Sequence, residues 1–71
     1  MELYRAVIEH PDGQDQVIAL DRAIQRIHDY VTVTMSMGHT VRIDKGTTIE
    51  PDWRPHDRYA PTDPPPATPT E

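Results

Sequence analysis

Residues 29–44 read DYVTVTMSMGHTVRID, and the fold turns on how this stretch is taken. Val31, Val33, Met35 and Met37 alternate with Thr and Ser, which is the period of a half-buried strand. Val31, Thr34 and Met35 also extend the spacing of Leu20, Ile24 and Ile27, the apolar stripe of a helix that stops at Gly38. The two readings bury different residues. In a strand, Val33 and Met37 join the core. In a helix they point outward beside Arg22 and Arg26, as an exposed apolar surface for a partner or a dimer.

The flanking sequence weighs on the choice. His10-Pro11-Asp12-Gly13-Gln14 has Pro and Asp where a type I turn wants them, with Gly13 where the chain goes left-handed into a bulge. This predicts a three-residue hairpin loop pairing His10 with Gln14, Val7 with Val17 and Ala6 with Ile18. Tyr4, Ala6, Ile8 and Ile18 then share one face; Arg5 and Glu9 take the other, along with Val7 and Val17. Ile43-Asp44-Lys45-Gly46-Thr47 has the same form, with Gly46 in the left-handed position. It predicts a second hairpin, pairing Ile43 with Thr47 and Val41 with Ile49.

Between the turns, ALDRAIQRIHDYVTVTMSMG predicts a helix, with Asp21 lending negative charge to its first turn. The result is an α+β fold, ββαββ, with a small antiparallel sheet packed against one helix. The alternative is βαββ: a helix from Asp15 to about Tyr30, then a strand over 31–37. The poor helix propensity of Val and Thr favours it. Against it, no Gly, Pro or Asn breaks the chain at residues 28–31, and the Pro-Asp-Gly signal goes unused. The hairpin signal and Gly38 favour ββαββ.

At Pro51 the composition changes, and seven of the eight prolines lie from that residue onward. Residues 1–50 are therefore expected to form the domain. Residues 51–59 are an extension that Trp53 and Tyr59 could pack onto it, and 60–71 a disordered or polyproline-II Pro-rich tail. A chain of 71 residues holds one domain at most. Domains of about 60 residues are marginally stable and hardly enclose a deep substrate pocket.

Composition narrows the function. The chain has no cysteine, which removes disulfides and thiolate metal sites. A net charge of −5 argues against general affinity for nucleic acid. The first residues carry charges without an apolar signal core, and no run is long enough to cross a bilayer, so a soluble cytoplasmic protein is expected.

No constellation of reactive side chains emerges. His10, His28, His39 and His56 include no pair one helical turn apart, as a helical metal site would need. Asp12 and Asp44 are accounted for by turn chemistry, Asp21 by the helix terminus, and Ser36, the single serine, has no adjacent base. The expectation is a non-enzymatic protein with no catalytic residue, metal or cofactor.

What remains is surface. Arg22 and Arg26 lie one turn apart and could meet phosphates with Arg42, but Asp29 can pair with Arg26, which makes a solvated face the better reading. Pro61 to Pro64 and Pro66 to Pro69 have PxxP spacing, a frequent chance match at this proline density. WRPHDRY (53–59) supplies Trp53, Arg54 and Tyr59, residue types enriched at binding hot spots.

The layout resembles that of short accessory proteins of high-GC actinobacteria and their phages, including anti-CRISPR-like inhibitors. The matching residues are Pro11-Asp12-Gly13, Ala19-Leu20-Asp21-Arg22-Ala23, Gly38 and Val41-Arg42-Ile43. The resemblance covers residues 3–50; the Thr/Val-rich second half of the helix and the Pro-rich tail depart from it. It implies an accessory or inhibitor role by surface contact and transfers no catalytic residue. The expected function is a small binding protein that modulates or inhibits a host or partner protein, as in anti-defence inhibition. Arg22, Arg26, Val33, Met37, Trp53, Arg54 and Tyr59 are its candidate contacts. An antitoxin-like DNA-binding regulator and a phage structural or decoration component are the alternatives.

Overall fold

The stretch that satisfied two periods is helical at its centre. In the computed structural model, which describes residues 2–47 and 52–66, α1 spans Ile24–Ser36. Its buried residues are Ile27, Val31, Thr34 and Met35, a 3.6-residue stripe. The strand period fails at Val33, which is 61% exposed whereas Val31 is fully buried. Threonine is a weak helix former, but here its hydroxyls bond within the helix. Thr32 Oγ1 donates to the His28 carbonyl at 3.0 Å and Thr34 Oγ1 to that of Tyr30 at 2.7 Å. The helix ends in a Schellman motif. Gly38, at φ +90°, donates to the Met35 carbonyl at 2.9 Å, and His39 donates to that of Thr34 at 3.4 Å.

Strands β1 (Glu2–Glu9) and β2 (Asp15–Asp21) form the expected first hairpin. His10 N–H donates to the Gln14 carbonyl at 3.0 Å, Gly13 takes φ +88°, and the Asp12 carboxylate accepts from Gln14 N–H at 3.0 Å. The register holds to Val7 opposite Val17. A bulge then slips it, so that Ala6 faces Ala19 instead of Ile18. Strand β2 consequently runs on to Asp21. Leu20 belongs to it and is 58% exposed, not part of the helical stripe. Asp21 precedes the helix, where its carboxylate accepts from Ala23 N–H at 2.8 Å; no acidic residue occupies the first turn.

The second hairpin is not formed as expected. Strand β3 (Thr40–Thr47) runs straight through Asp44-Lys45-Gly46, pairing with β1 from Glu9 opposite Thr40 to Glu2 opposite Thr47. Gly46 lacks a positive φ. Val41 pairs with Ile8 and Tyr59, and Ile49 lies outside the described residues. The turn-like residues are used for other purposes: Asp44 binds two arginines, and Gly46 leaves room for an indole. The fourth strand, β4 (Arg54–Tyr59), comes from the segment expected to be an extension. Its Pro55 is tolerated because β4 is an edge strand and the register slips beside it, between Ile43 and Asp44.

The sheet order is β2-β1-β3-β4, with every neighbouring pair antiparallel. Strands β2 and β3 are thus parallel to each other, and α1 crosses over β1 to connect them, a crossover that is right-handed in nearly all proteins. On the helix side, Tyr4, Ala6, Val41 and Ile43 pack with Ile27, Val31 and Met35. After β4 the chain turns at residues 60–63, where Asp63 N–H donates to the Ala60 carbonyl and its carboxylate accepts from Ala60 N–H at 2.8 Å. The rest of the expected tail, 67–71, lies outside the described residues.

Candidate functional site

The face of the sheet away from α1 has no second layer of helices among the described residues, yet Val7 on this face is fully buried. An ion-pair lattice surrounds it. Asp44, 2% exposed, accepts from Arg5 Nε at 2.8 Å, Arg42 Nε at 2.7 Å and Arg42 Nη2 at 3.1 Å. Arg42 reaches further, to Asp15 at 3.1 Å and Glu9 at 3.4 Å, and Arg58 closes on Glu9 at 2.9 Å. The Arg5 guanidinium lies 4.5 Å from the centroid of the Trp53 ring. Burial pushes the Asp44 carboxyl up, but the hydrogen bonds from Arg42 and Arg5 outweigh it and hold it below its ordinary value. The Arg42 guanidinium is correspondingly raised, chiefly by its bonds to Asp44.

This lattice separates the sequence-predicted site residues. Trp53 is half-buried on the lattice side, with its Cε3 3.1 Å from where a Cβ on Gly46 would sit. Tyr59 is half-buried on the other side, packed against the helix-side core, and burial raises its phenol. Arg54 is exposed and pairs with Asp52 at 3.2 Å. Trp53, Arg54 and Tyr59 therefore do not form one patch. Arg42 belongs to the lattice, not to the helix surface. Arg22 is exposed in the link before α1, while Arg26 on α1 pairs with Asp21 at 3.6 Å rather than with Asp29.

Val33 on α1 and Met37 at its C-cap are exposed, at 61% and 69%. Tyr30, half exposed, joins them, so Arg26, Tyr30, Val33 and Met37 form a stripe at i, i+4, i+7 and i+11. The Arg26–Asp21 pair sets the start of this stripe on the β2 side, where a right-handed crossover also puts it. Among the described residues, Val17 and Leu20 of β2 are the other large apolar residues that stay exposed, both on the face away from the helix. Sequence reading missed Tyr30, which sits at helical spacing from Val33 and Met37. It also missed Leu20, because the bulge that keeps it in β2 leaves no local mark.

Among the described residues, no group of three or more His, Cys, Asp or Glu side chains is placed to hold a metal ion. His10 and His39 meet edge-on at 6.1 Å, and His10 Nε2 lies 2.9 Å from the Gln16 side-chain oxygen. An open depression of about 390 Å³ at the far end of β3 is lined by Glu2, Lys45, Asp52, Arg54 and His56. Its charges are largely paired, Lys45 with Glu2 at 2.9 Å and Arg54 with Asp52. No helix among the described residues is long and apolar enough to cross a membrane. Comparison with protein-family models, curated proteins and solved structures found no match.

Proposed function

We propose that this chain is a small non-enzymatic binding protein that modulates or inhibits a partner protein by surface contact. One observation carries the reading: among the described residues Val17, Leu20, Tyr30, Val33 and Met37 are large apolar side chains left exposed, two of them on β2 and three along the helix flank that a right-handed crossover turns toward β2. A small domain that leaves this much apolar surface on one flank has a contact to make there. Phosphate binding gains little from the arginines, because Arg5, Arg26, Arg42, Arg54 and Arg58 already face carboxylates, which leaves Arg22. Inhibition of a host defence protein is the sharpest form of the proposal and rests on the layout resemblance alone.

The test compares capture of cytoplasmic proteins by wild-type chain, Val33→Asp and Met37→Asp, with helical circular dichroism recorded for each. Both positions are exposed, so both variants are expected to fold and to lose a partner that the wild type retains. Equal capture by all three, or no specific capture by the wild type, overturns the proposal.

A further inference from the structure

We infer that the shallow depression on the outer face of α1 between Asp29, Tyr30 and Val33 receives an arginine side chain of a partner protein. This rests on reading that helix face as a contact surface and deepens it by naming the chemistry of the partner.

Helical spacing builds the depression. Val33 follows Asp29 by four residues and Tyr30 by three, so it closes the gap between them from the next turn. All three residues are exposed. The volume is about 220 Å³, below the ~300–1,000 Å³ of a small-molecule pocket and above the ~150 Å³ that holds one benzene in an engineered cavity. That size suits a single side chain.

The charges select a cation. The Asp29 carboxylate has no hydrogen bond or ion pair among the described residues. Arg26, three residues ahead of it, is held by Asp21 at 3.6 Å, and basic before acidic is the weaker order for a pair on a helix. Arg22 stands before the first residue of α1, about two turns from Asp29. Beyond Asp29 the last turn carries no basic residue, which leaves the negative end of the helix dipole without a cation there. A phosphate would be repelled from this half of the helix face. A basic partner is drawn to it, and the net charge of −5 adds long-range attraction.

Among cations, arginine matches this site best. Its planar guanidinium gives a carboxylate two parallel N–H donors and stacks on aromatic rings, whereas an ammonium is a compact, strongly hydrated point charge. Here the free carboxylate and the exposed Tyr30 ring are neighbours in sequence, and the apolar stem of the arginine would run over Val33. Met37, exposed one turn further along the stripe, then meets an apolar residue beside that arginine. A second copy of this chain supplies such a donor poorly. Among the described residues its arginines and lysine are all in ion pairs except Arg22.

Random dodecapeptides displayed on phage and selected on the full-length chain test the assignment. Selected peptides are expected to carry arginine next to a large apolar residue. Fluorescence polarisation of one such peptide is expected to show binding weakened roughly ten- to hundredfold by Asp29→Asn, as for loss of a charged hydrogen-bonded pair. Changing the peptide arginine to glutamate should abolish binding to the wild type, and Asp29→Arg should restore it. Circular dichroism should be unchanged in both variants, because Asp29 is exposed. A selection without arginine enrichment, or equal binding by wild type and Asp29→Asn, overturns the proposal. So does an equal loss in Asp57→Asn, which removes the same charge from the β4 edge and would reveal unspecific attraction to an acidic chain. Self-association of the wild type that Asp29→Asn abolishes in sedimentation would also overturn it and assign the depression to a second copy. If Val33→Asp loses the captured partner while Asp29→Asn keeps it, the proposed function stands and this assignment falls.

Discussion

Replacing Asp44 by Asn keeps the shape of the side chain and removes the charge at the centre of the ion lattice. The wild-type carboxylate accepts three hydrogen bonds from Arg5 and Arg42 and is almost wholly buried. Removing one partner of a buried ion pair costs about 3–5 kcal/mol. Here the guanidinium-bearing side chains are 24% and 20% exposed, so water can take up part of their charge, and a loss of roughly 2–3 kcal/mol is expected. A domain of this size is stable by about 4–10 kcal/mol, so the change is large but leaves a folded protein. With a urea slope near ~1 kcal/mol/M, the midpoint falls by roughly 2–3 M. Trp53, the single tryptophan, stacks on Arg5 and reports the transition by fluorescence.

The pH dependence gives a second handle on the same residue. The folded pKa of Asp44 is depressed below its ordinary 3.8, so between the two values the unfolded chain binds more protons. Its contribution is full above the ordinary value and is lost as pH falls through the folded one. The gap between wild type and Asp44→Asn should therefore be widest at neutral pH and close in acid. A midpoint change under about 0.5 M at pH 7, or a gap that persists unchanged into acid, would refute the reasoning.

Two glycines invite contrasting predictions. Gly38→Ala forces a side chain into the left-handed region at φ +90° with nothing crowding it, and should cost about 1–2 kcal/mol in urea melts through backbone strain alone. Gly46→Ala meets no such strain, but its Cβ would lie 3.1 Å from Trp53 Cε3. It should cost about 1 kcal/mol, shift the Trp53 emission, and cost less in a Trp53→Leu background; an equal cost there would refute the close-contact explanation.

Local chemistry determined the first hairpin and the helix stop, because both depend on conformations that few residues adopt. Gly13 and Gly38 take positive φ, and Asp12 and Pro11 preset the turn, whatever surrounds them. The apolar stripe Ile27, Val31, Thr34 and Met35 was legible for a similar reason: one side of a helix must face the sheet. That placed Val33 and Met37 outside before any contact was known.

Asp44-Lys45-Gly46 has equally good turn chemistry, yet it lies in a strand. Its fate was decided by residues far along the chain, Arg5 reaching Asp44 and Trp53 lying against Gly46. The same holds for β4, whose proline and charges deny it any local strand signal, and which exists because β3 presents an edge to pair with. The bulge in β2, and with it the exposure of Leu20, likewise depends on how the strand meets β1 and α1. Residues whose conformational preference is strong announce themselves in the sequence. Residues whose role is to receive a distant partner do so only once tertiary packing brings that partner near.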